Sequence, residues 1–346
     1  YSDYFSSIIG YTGKISDTEY KTLSAKDESY TENDTVGKAG LEQYYEQYLR
    51  GQNGERKFYI DTVGRISEII SNTDSVAGDD LYLSIDADLQ KATYIALERE
   101  IAGIVYSNIK AGNIPIIDVY KALIGNRVID ISHFTEDDAS ATEKGLYSSF
   151  KNTHKNVQKN IKKELTTSPK ALDQMSDETL DEFTHIISML KDNGILLTSE
   201  IDTNDETYQK WKNQKISPKE YLNYCISQQW IDISQLSVDE KYADSSEVYD
   251  ALCNYILDHL KDDKDFDTII YEYMIARGDI SPRKLCIILF EQGVLDYDDA
   301  TVNKLKNGTL APYDFIMDKI NRVEITPAQL ALEPCTGSTI VTDVKT

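Results

Sequence analysis

The chain is poor in the residues that usually carry chemistry. Its 346 residues include four cysteines, four histidines, two tryptophans and seven prolines. Cys225, Cys253, Cys286 and Cys335 form no C-x-x-C pair. Three of them sit in apolar, helix-like stretches, where a buried free thiol is the common state. His259 follows Cys253 by six residues, off the i, i+4 face that a helical metal site uses. The spacing therefore predicts no metal and no cofactor. Basic residues are scarce too: 36 Lys and Arg against 59 Asp and Glu give a net charge of −23. That balance excludes wrapping of nucleic acid, which needs clustered cations, and excludes a polybasic membrane patch. No apolar run approaches the ~20 residues of a spanning helix, and no signal-peptide pattern stands at the start.

What is present is a mixed front and a long helical remainder. Phe58–Val63 is rich in β-formers and lies between Gly54 and Gly64, so it reads as a strand. Leu81–Ile85 alternates behind Gly78-Asp79-Asp80 and reads as a second strand. Between them Leu41, Tyr44, Tyr45, Tyr48 and Leu49 share a helical stripe that stops at Gly51. Asp86 caps a strong helix in which Leu89, Ala92, Ala96, Leu97, Ile101, Ile104 and Val105 recur at helical intervals.

Beyond residue 105 the β-branched alternation disappears and short amphipathic helices follow one another. Ser217-Pro218, Ser281-Pro282 and Thr326-Pro327 each put a capping hydroxyl before a proline suited to the first helical position. Ser168-Pro169 reads the same way, and Ala311-Pro312 keeps the proline without the cap. Gly194, Gly278, Gly293 and Gly308 read as helix stops. The starts suggest stacked helical hairpins, at spacings too irregular for a known repeat. The acidic run Asp258, Asp262, Asp263, Asp265, Asp267 fails the calcium-loop template, because Thr268 stands at the glycine position and Met274 at the final glutamate. It reads as a solvated helix end. The 24 tyrosines read as rings on helix faces with the hydroxyl in water. Gly337–Asp343 returns to strand character.

Two segments resemble one family. Ile9-Gly10-Tyr11-Thr12-Gly13 opens the first. Val36-Gly37-Lys38-Ala39-Gly40-Leu41-Glu42, Tyr44-Tyr45, Leu49-Arg50-Gly51 and Gly54 follow, then Asp61 with Gly64-Arg65, and Leu83–Gln90. This order is similar to class B penicillin-binding proteins, in the non-catalytic pedestal and the first strand and helix of the transpeptidase domain. The second segment, from Gly337, is similar to the strand that opens that domain's main sheet.

The resemblance implies an α+β chain. Its parts would be a β-containing pedestal at 1–80, the transpeptidase edge at 81–105 and 335–346, and an all-helical insertion at 106–334. It implies structural roles for Gly37, Gly40, Glu42, Arg50, Gly51, Asp61, Gly64 and Arg65, with Glu42 paired to Arg50 or Arg65. The parent would be a membrane-anchored D,D-transpeptidase that cross-links peptidoglycan on the extracytoplasmic face, acylated at a Ser of an S-x-x-K motif. Its partners would be other cell-wall synthesis proteins, including a membrane glycan polymerase that contacts the pedestal. With Tyr1 at its start and Thr346 at its end, the chain reads as a piece of such a parent.

The active site is expected to be missing. Ser148-Ser149-Phe150-Lys151 and Ser281-Pro282-Arg283-Lys284 match S-x-x-K, but no S-D-N or K-T-G accompanies them. The chain is then a scaffold and docking region. The alternative is that the insertion is an independent protein- or carbohydrate-binding module. Trp211 and Trp230, nineteen residues apart, supply no sugar-stacking cluster, and the negative charge repels anionic wall polymers.

Overall fold

A computed structural model describes residues 2–60, 65–238 and 244–339. The chain divides into two compact units: Tyr1–Leu97 together with the C-terminal end from Thr339, and Glu98–Ser338. The architecture is α+β, with all strands in the first unit among the described residues.

The first unit begins with α1 (Ser2–Ile9), β1 (Thr12–Lys14), α2 (Asp17–Ser24) and β2 (Thr35–Gly37). Ser16 starts α2 by a reciprocal capping box with Glu19, which satisfies two otherwise orphaned N–H groups. β1 and β2 pair antiparallel, with Gly13 opposite Val36. The core here is small: Ile15, Tyr30 and Val36, with Tyr20 and Leu23 packed against them.

The stripe predicted over 41–49 is two short helices, α3 (Gly40–Tyr44) and α4 (Glu46–Leu49), broken at Tyr45 (φ −104°, ψ 16°). A segment this short has little helical stability of its own, so local contacts decide its path. β3 (Glu55–Ile60) and β4 (Ile66–Thr73) form an antiparallel hairpin with Phe58 opposite Ile69. Residues 61–63 of the predicted strand, together with Asp61 and Gly64, lie outside the described residues. Every residue of β4 is exposed.

The predicted strand over 81–85 is irregular chain. Tyr82 is 89% exposed and Leu81, Leu83 and Ile85 are about as open as β4. Alternation alone does not make a strand; it needs a ladder partner, and no described segment pairs with this one. Residues 337–339 are likewise irregular, and the rest of the strand predicted there lies outside the described residues. Asp86 does cap the following helix, α5 (Ala87–Ala111), by accepting a 3.0 Å bond from Leu89 N–H. The boundary between the two units falls within α5.

The second unit continues with α6 (Ile116–Gly125), a 3₁₀ turn (Ile131–Thr135), α7 (Ala141–Leu165), α8 (Asp177–Asp192), α9 (Glu206–Lys212), α10 (Pro218–Ser227), α11 (Ser245–His259), α12 (Lys264–Ala276), α13 (Pro282–Glu291), α14 (Asp299–Asn307), α15 (Pro312–Asn321) and α16 (Pro327–Leu330). Ser217, Ser281 and Thr326 cap α10, α13 and α16 with proline at the first turn, and α15 starts at Pro312 without a side-chain cap, all as the sequence predicts. No helix starts at Ser168-Pro169; the chain there is irregular, and α8 takes its cap from Ser176.

α12 lies at the centre, against α6, α7 and α8. Phe266, Ile270, Tyr271 and Met274 of α12 are buried, with Tyr271 stacked on Phe150 at 4.4 Å. Tyrosine is thus a core residue here and not only a surface one. Tyr221, Tyr249 and Tyr271 are buried, and the Tyr249 hydroxyl donates to the Leu165 carbonyl at 2.6 Å. Burying so large a ring is favourable once its hydroxyl has a partner.

The helix starts are irregularly spaced, but the helix ends are not. Gly278, Gly293, Gly308 and Val323 all have positive φ and follow one another at intervals of fifteen residues; Gly112 and Arg127, and Gln214 and Gln229, show the same interval. Two residues beyond each stands Ile or Leu, as in Ile280, Leu295, Leu310 and Ile325. In these four units the N–H of that aliphatic residue bonds the carbonyl four residues before the left-handed position: Ile280 to Met274, Leu295 to Leu289, Leu310 to Lys304 and Ile325 to Lys319, at 3.0–3.3 Å. The turn satisfies a helix-end carbonyl and drives an aliphatic side chain inward at once. A fifteen-residue unit of helix, left-handed turn and aliphatic plug therefore recurs, which corrects the expectation of no regular period.

Candidate functional site

Of the predicted structural residues, Gly37, Gly40, Glu42, Arg50 and Gly51 lie on or beside β2, α3 and α4. Arg50 follows α4 directly, and its side chain is 12% exposed. Its guanidinium donates to Ser29 Oγ and the Ser29 carbonyl at 2.8 Å each and to Asp34 Oδ2 at 2.7 Å. The same group lies 3.6 Å from the centre of the Tyr30 ring. Planar guanidinium suits this combination of fork and stacking, which lysine cannot copy. Arg50 thus pairs with Asp34 and not with Glu42. Burial works against the charge of Asp34, but bonds from Thr31 and Arg50 hold its carboxyl below the usual range.

Glu46, not singled out from the sequence, completes the cluster. One carboxylate oxygen accepts from Gly37 N–H at 2.7 Å and the other from the Tyr30 hydroxyl at 3.3 Å. Lys38 pairs with Glu19 of α2. A 210 Å³ recess between α2, β2 and α3 lies beside them, lined by Glu19, Leu23, Val36, Gly37, Gln43 and Glu46.

The glycines mark places where backbones cross. A Cβ on Gly37 would stand 2.2 Å from the carbonyl carbon and oxygen of Glu42, so what matters at Glu42 is the path of its main chain. Glu42 also lies in the first turn of α3, where a negative charge suits the helix dipole. Gly40 has φ +60° and its Cβ would meet the Ile8 carbonyl at 2.5 Å; Gly51 has φ +69° and would meet the Val76 carbonyl at 2.4 Å. Their counterparts across each crossing are Gly10 and Gly78, which sequence reading did not pair with them. Arg65 is exposed, just before β4. The bonds of Arg50 and Glu46 and the glycine crossings hold these loops together.

The S-x-x-K strings do not form a catalytic pair. Ser148 is exposed in the second turn of α7, and Lys151 Nζ lies 5.0 Å from the Tyr147 ring. Ser281 Oγ caps α13 through Arg283 N–H at 3.3 Å. Cys225, Cys253 and Cys286 are buried free thiols, Cys335 is a partly buried one, and burial pushes the first three above the usual thiol range. The acidic run is also not simply solvated. Asp263 caps α12 and binds His185 Nε2 at 2.7 Å, while Asp267 is buried and its pKa is pushed by burial up to about 6. Burial also pushes Glu182 up to about 8, with Glu178 adding to the effect. Among the described residues no helix is long and apolar enough to cross a membrane. Among the described residues His133, Glu136 and Asp138 bring potential metal-ligand atoms within 4.8 Å of one another.

Residues 1–83 match the penicillin-binding protein dimerisation domain. Over 109 residues the chain is 30% identical to the peptidoglycan D,D-transpeptidase MrdA of Salmonella typhimurium (strain LT2), covering 31% of this chain and 18% of that protein. It is 30% identical over 116 residues to MrdA of Escherichia coli (strain K12), covering 33% and 18%. It is 38% identical over 90 residues to the peptidoglycan D,D-transpeptidase FtsI of the same strain, covering 26% and 15%. The chain thus spans less than a fifth of the length of these relatives. The likeness to the penicillin-binding protein dimerisation domain and to these transpeptidases is thus confined to the first third of the chain.

Proposed function

We propose that the chain is a non-catalytic portion of a peptidoglycan D,D-transpeptidase and serves as its scaffold and docking region. The observation that carries this is the coincidence of the family match over 1–83 with the loop-fixing cluster of Arg50, Glu46 and the crossing glycines. A rigid platform built from loops needs such pinning, because its apolar core is only a few residues deep. The parent would be anchored at the outer face of the cytoplasmic membrane and would meet a membrane glycan polymerase through this platform. Covalent penicillin binding belongs to a Ser that this chain does not supply.

A fluorescent penicillin is the direct test. The chain should take no covalent label, whereas a full-length parent should. Labelling at Ser148 or Ser281 would overturn the reading. Retention of the glycan polymerase by immobilised chain, lost on Arg50→Ala, would support docking through the platform; capture that survives this change would place docking elsewhere.

A second reading concerns Glu98–Ser338, supported by its compactness as a unit with its own core. In this reading it is an added protein-binding module or spacer. Deleting it from the full-length parent should leave penicillin labelling intact and remove one partner from a pull-down. Loss of labelling would mean it supports the catalytic fold instead.

A further inference from the structure

His133, Glu136 and Asp138 stand close enough to share one metal ion. The 3₁₀ turn Ile131–Thr135 and the loop into α7 bring His133, Glu136 and Asp138 together, with one ligand atom from each within 4.8 Å of the others. His133 Nε2 lies 3.6 Å from Asp138 Oδ1. Metal–ligand bonds of ~2.0–2.2 Å in a tetrahedron give ligand–ligand edges of roughly 3.3–3.6 Å, so this edge needs little adjustment.

The opposite side of the imidazole is held from inside the protein. Nδ1 lies 2.7 Å from Oε1 of Glu143, whose side chain is 1% exposed. Glu143 is itself fixed by Ser140 N–H at 2.7 Å and by Nε2 of Gln292, the residue that ends α13, at 2.7 Å. Gln292 in turn exchanges two bonds with the main chain of Asp130, at 2.8 and 2.9 Å. A buried carboxylate that accepts the Nδ1–H bond leaves the Nε2 lone pair on the other side of the ring, where Asp138 stands. Ligating histidines are oriented in this way, by a carboxylate behind the ring.

We propose that His133, Glu136 and Asp138 bind one divalent transition-metal ion of the zinc class, with Glu143 as the positioning residue and water completing the coordination. An imidazole favours zinc over calcium and magnesium, which seek six or more oxygens. Bound metal would tie the α6–α7 connection to the start of α7, and through Glu143 and Gln292 to α13. The proposal does not depend on the family reading.

The test is zinc titration of the full chain by calorimetry, with Asp138→Asn and His133→Asn alongside. The Asp138 side chain is 80% exposed, so its substitution leaves the fold intact. One zinc per chain is expected, each variant weakening it by at least ~10-fold, as even second-layer changes do at such sites. Cobalt substituted for zinc should give visible absorption typical of low coordination, lost in both variants. Excess calcium should not displace the zinc. No binding at micromolar zinc, equal binding by the variants, or displacement by equimolar calcium would each overturn the site; the last would mean general attraction to an acidic surface.

Discussion

The two units solve the same problem with different materials. In Tyr1–Leu97 the apolar core is small, and order comes from main-chain crossings at glycine and from one guanidinium spread over Ser29, Tyr30 and Asp34. In Glu98–Ser338 order comes from a deep aliphatic and aromatic core fed by a recurring turn. Glycine shows the contrast most clearly. At Gly37 a Cβ would collide with main chain, whereas at Gly278, with φ +81°, nothing lies within 4 Å of the added carbon. One glycine is required by space, the other by its dihedral angle alone.

The largest expected effect breaks the second unit. Phe266 is fully buried between His154 and His185, and Phe266→Ala should cost ~3–5 kcal/mol by loss of burial and creation of a cavity. Urea unfolding followed by Trp211 and Trp230 fluorescence would measure it. A cost below that of an ordinary surface change would mean the core is not centred on α12.

The glycine contrast comes next. Gly37→Ala should cost ~2–4 kcal/mol, because main chain must move, while Gly278→Ala should cost only ~1 kcal/mol for its left-handed angle. Gly278→Asn should be milder still, since Asn tolerates that region. Equal costs at the two positions, read by thermal unfolding, would erase the distinction drawn here.

Acidity sharpens the comparison through groups confined to the second unit. Burial raises Glu182 to about 8 and Asp267 to about 6, and the Asp263 hydrogen bond raises His185. Each of these binds its proton more tightly folded than unfolded. The folded state therefore holds more protons between about pH 5 and 8, and stability falls as pH rises through that window. His185 contributes fully below its unfolded pKa and loses the contribution as pH rises through its raised folded one. Asp263, held low by His185 against its own burial, opposes this only at more acidic pH. The second unit should be more stable at pH 5.5 than at pH 8 by roughly 1–3 kcal/mol. Glu182→Gln should reduce that difference; a unit more stable at pH 8 would contradict these assignments.

The smallest effect has the opposite sign. Val323 occupies the left-handed position of its turn at φ 57°, which a β-branched side chain resists. Val323→Gly should stabilise the chain by ~1 kcal/mol, visible as a higher thermal midpoint.

The sequence carried some of this plainly. Asp86, Ser217, Ser281 and Thr326 announce helix starts because capping is local: hydroxyl or carboxylate, proline and N–H lie within a few residues. The motifs from Gly10 to Arg65 carry the resemblance that the match over residues 1–83 bears out. Arg50 could be suspected as a clamp, but not its partners Ser29 and Asp34, which arrive from another loop. The strand predicted at 81–85 failed because alternation says nothing about whether a partner exists. The fifteen-residue period stayed hidden because its left-handed position holds Gly, Arg, Gln or Val, and its one steady letter is an aliphatic residue two places on. The trio His133, Glu136 and Asp138 is not legible in the sequence because a 3₁₀ turn and an irregular loop, and not helical spacing, bring these positions together.

The most direct test of the two-unit account is native-state hydrogen exchange on the whole chain, with Gly37→Ala and Phe266→Ala as probes. Gly37→Ala should strip protection from residues 2–60 while amides of α12 keep theirs, and Phe266→Ala should do the reverse. Protection lost together across both units in either variant would contradict it.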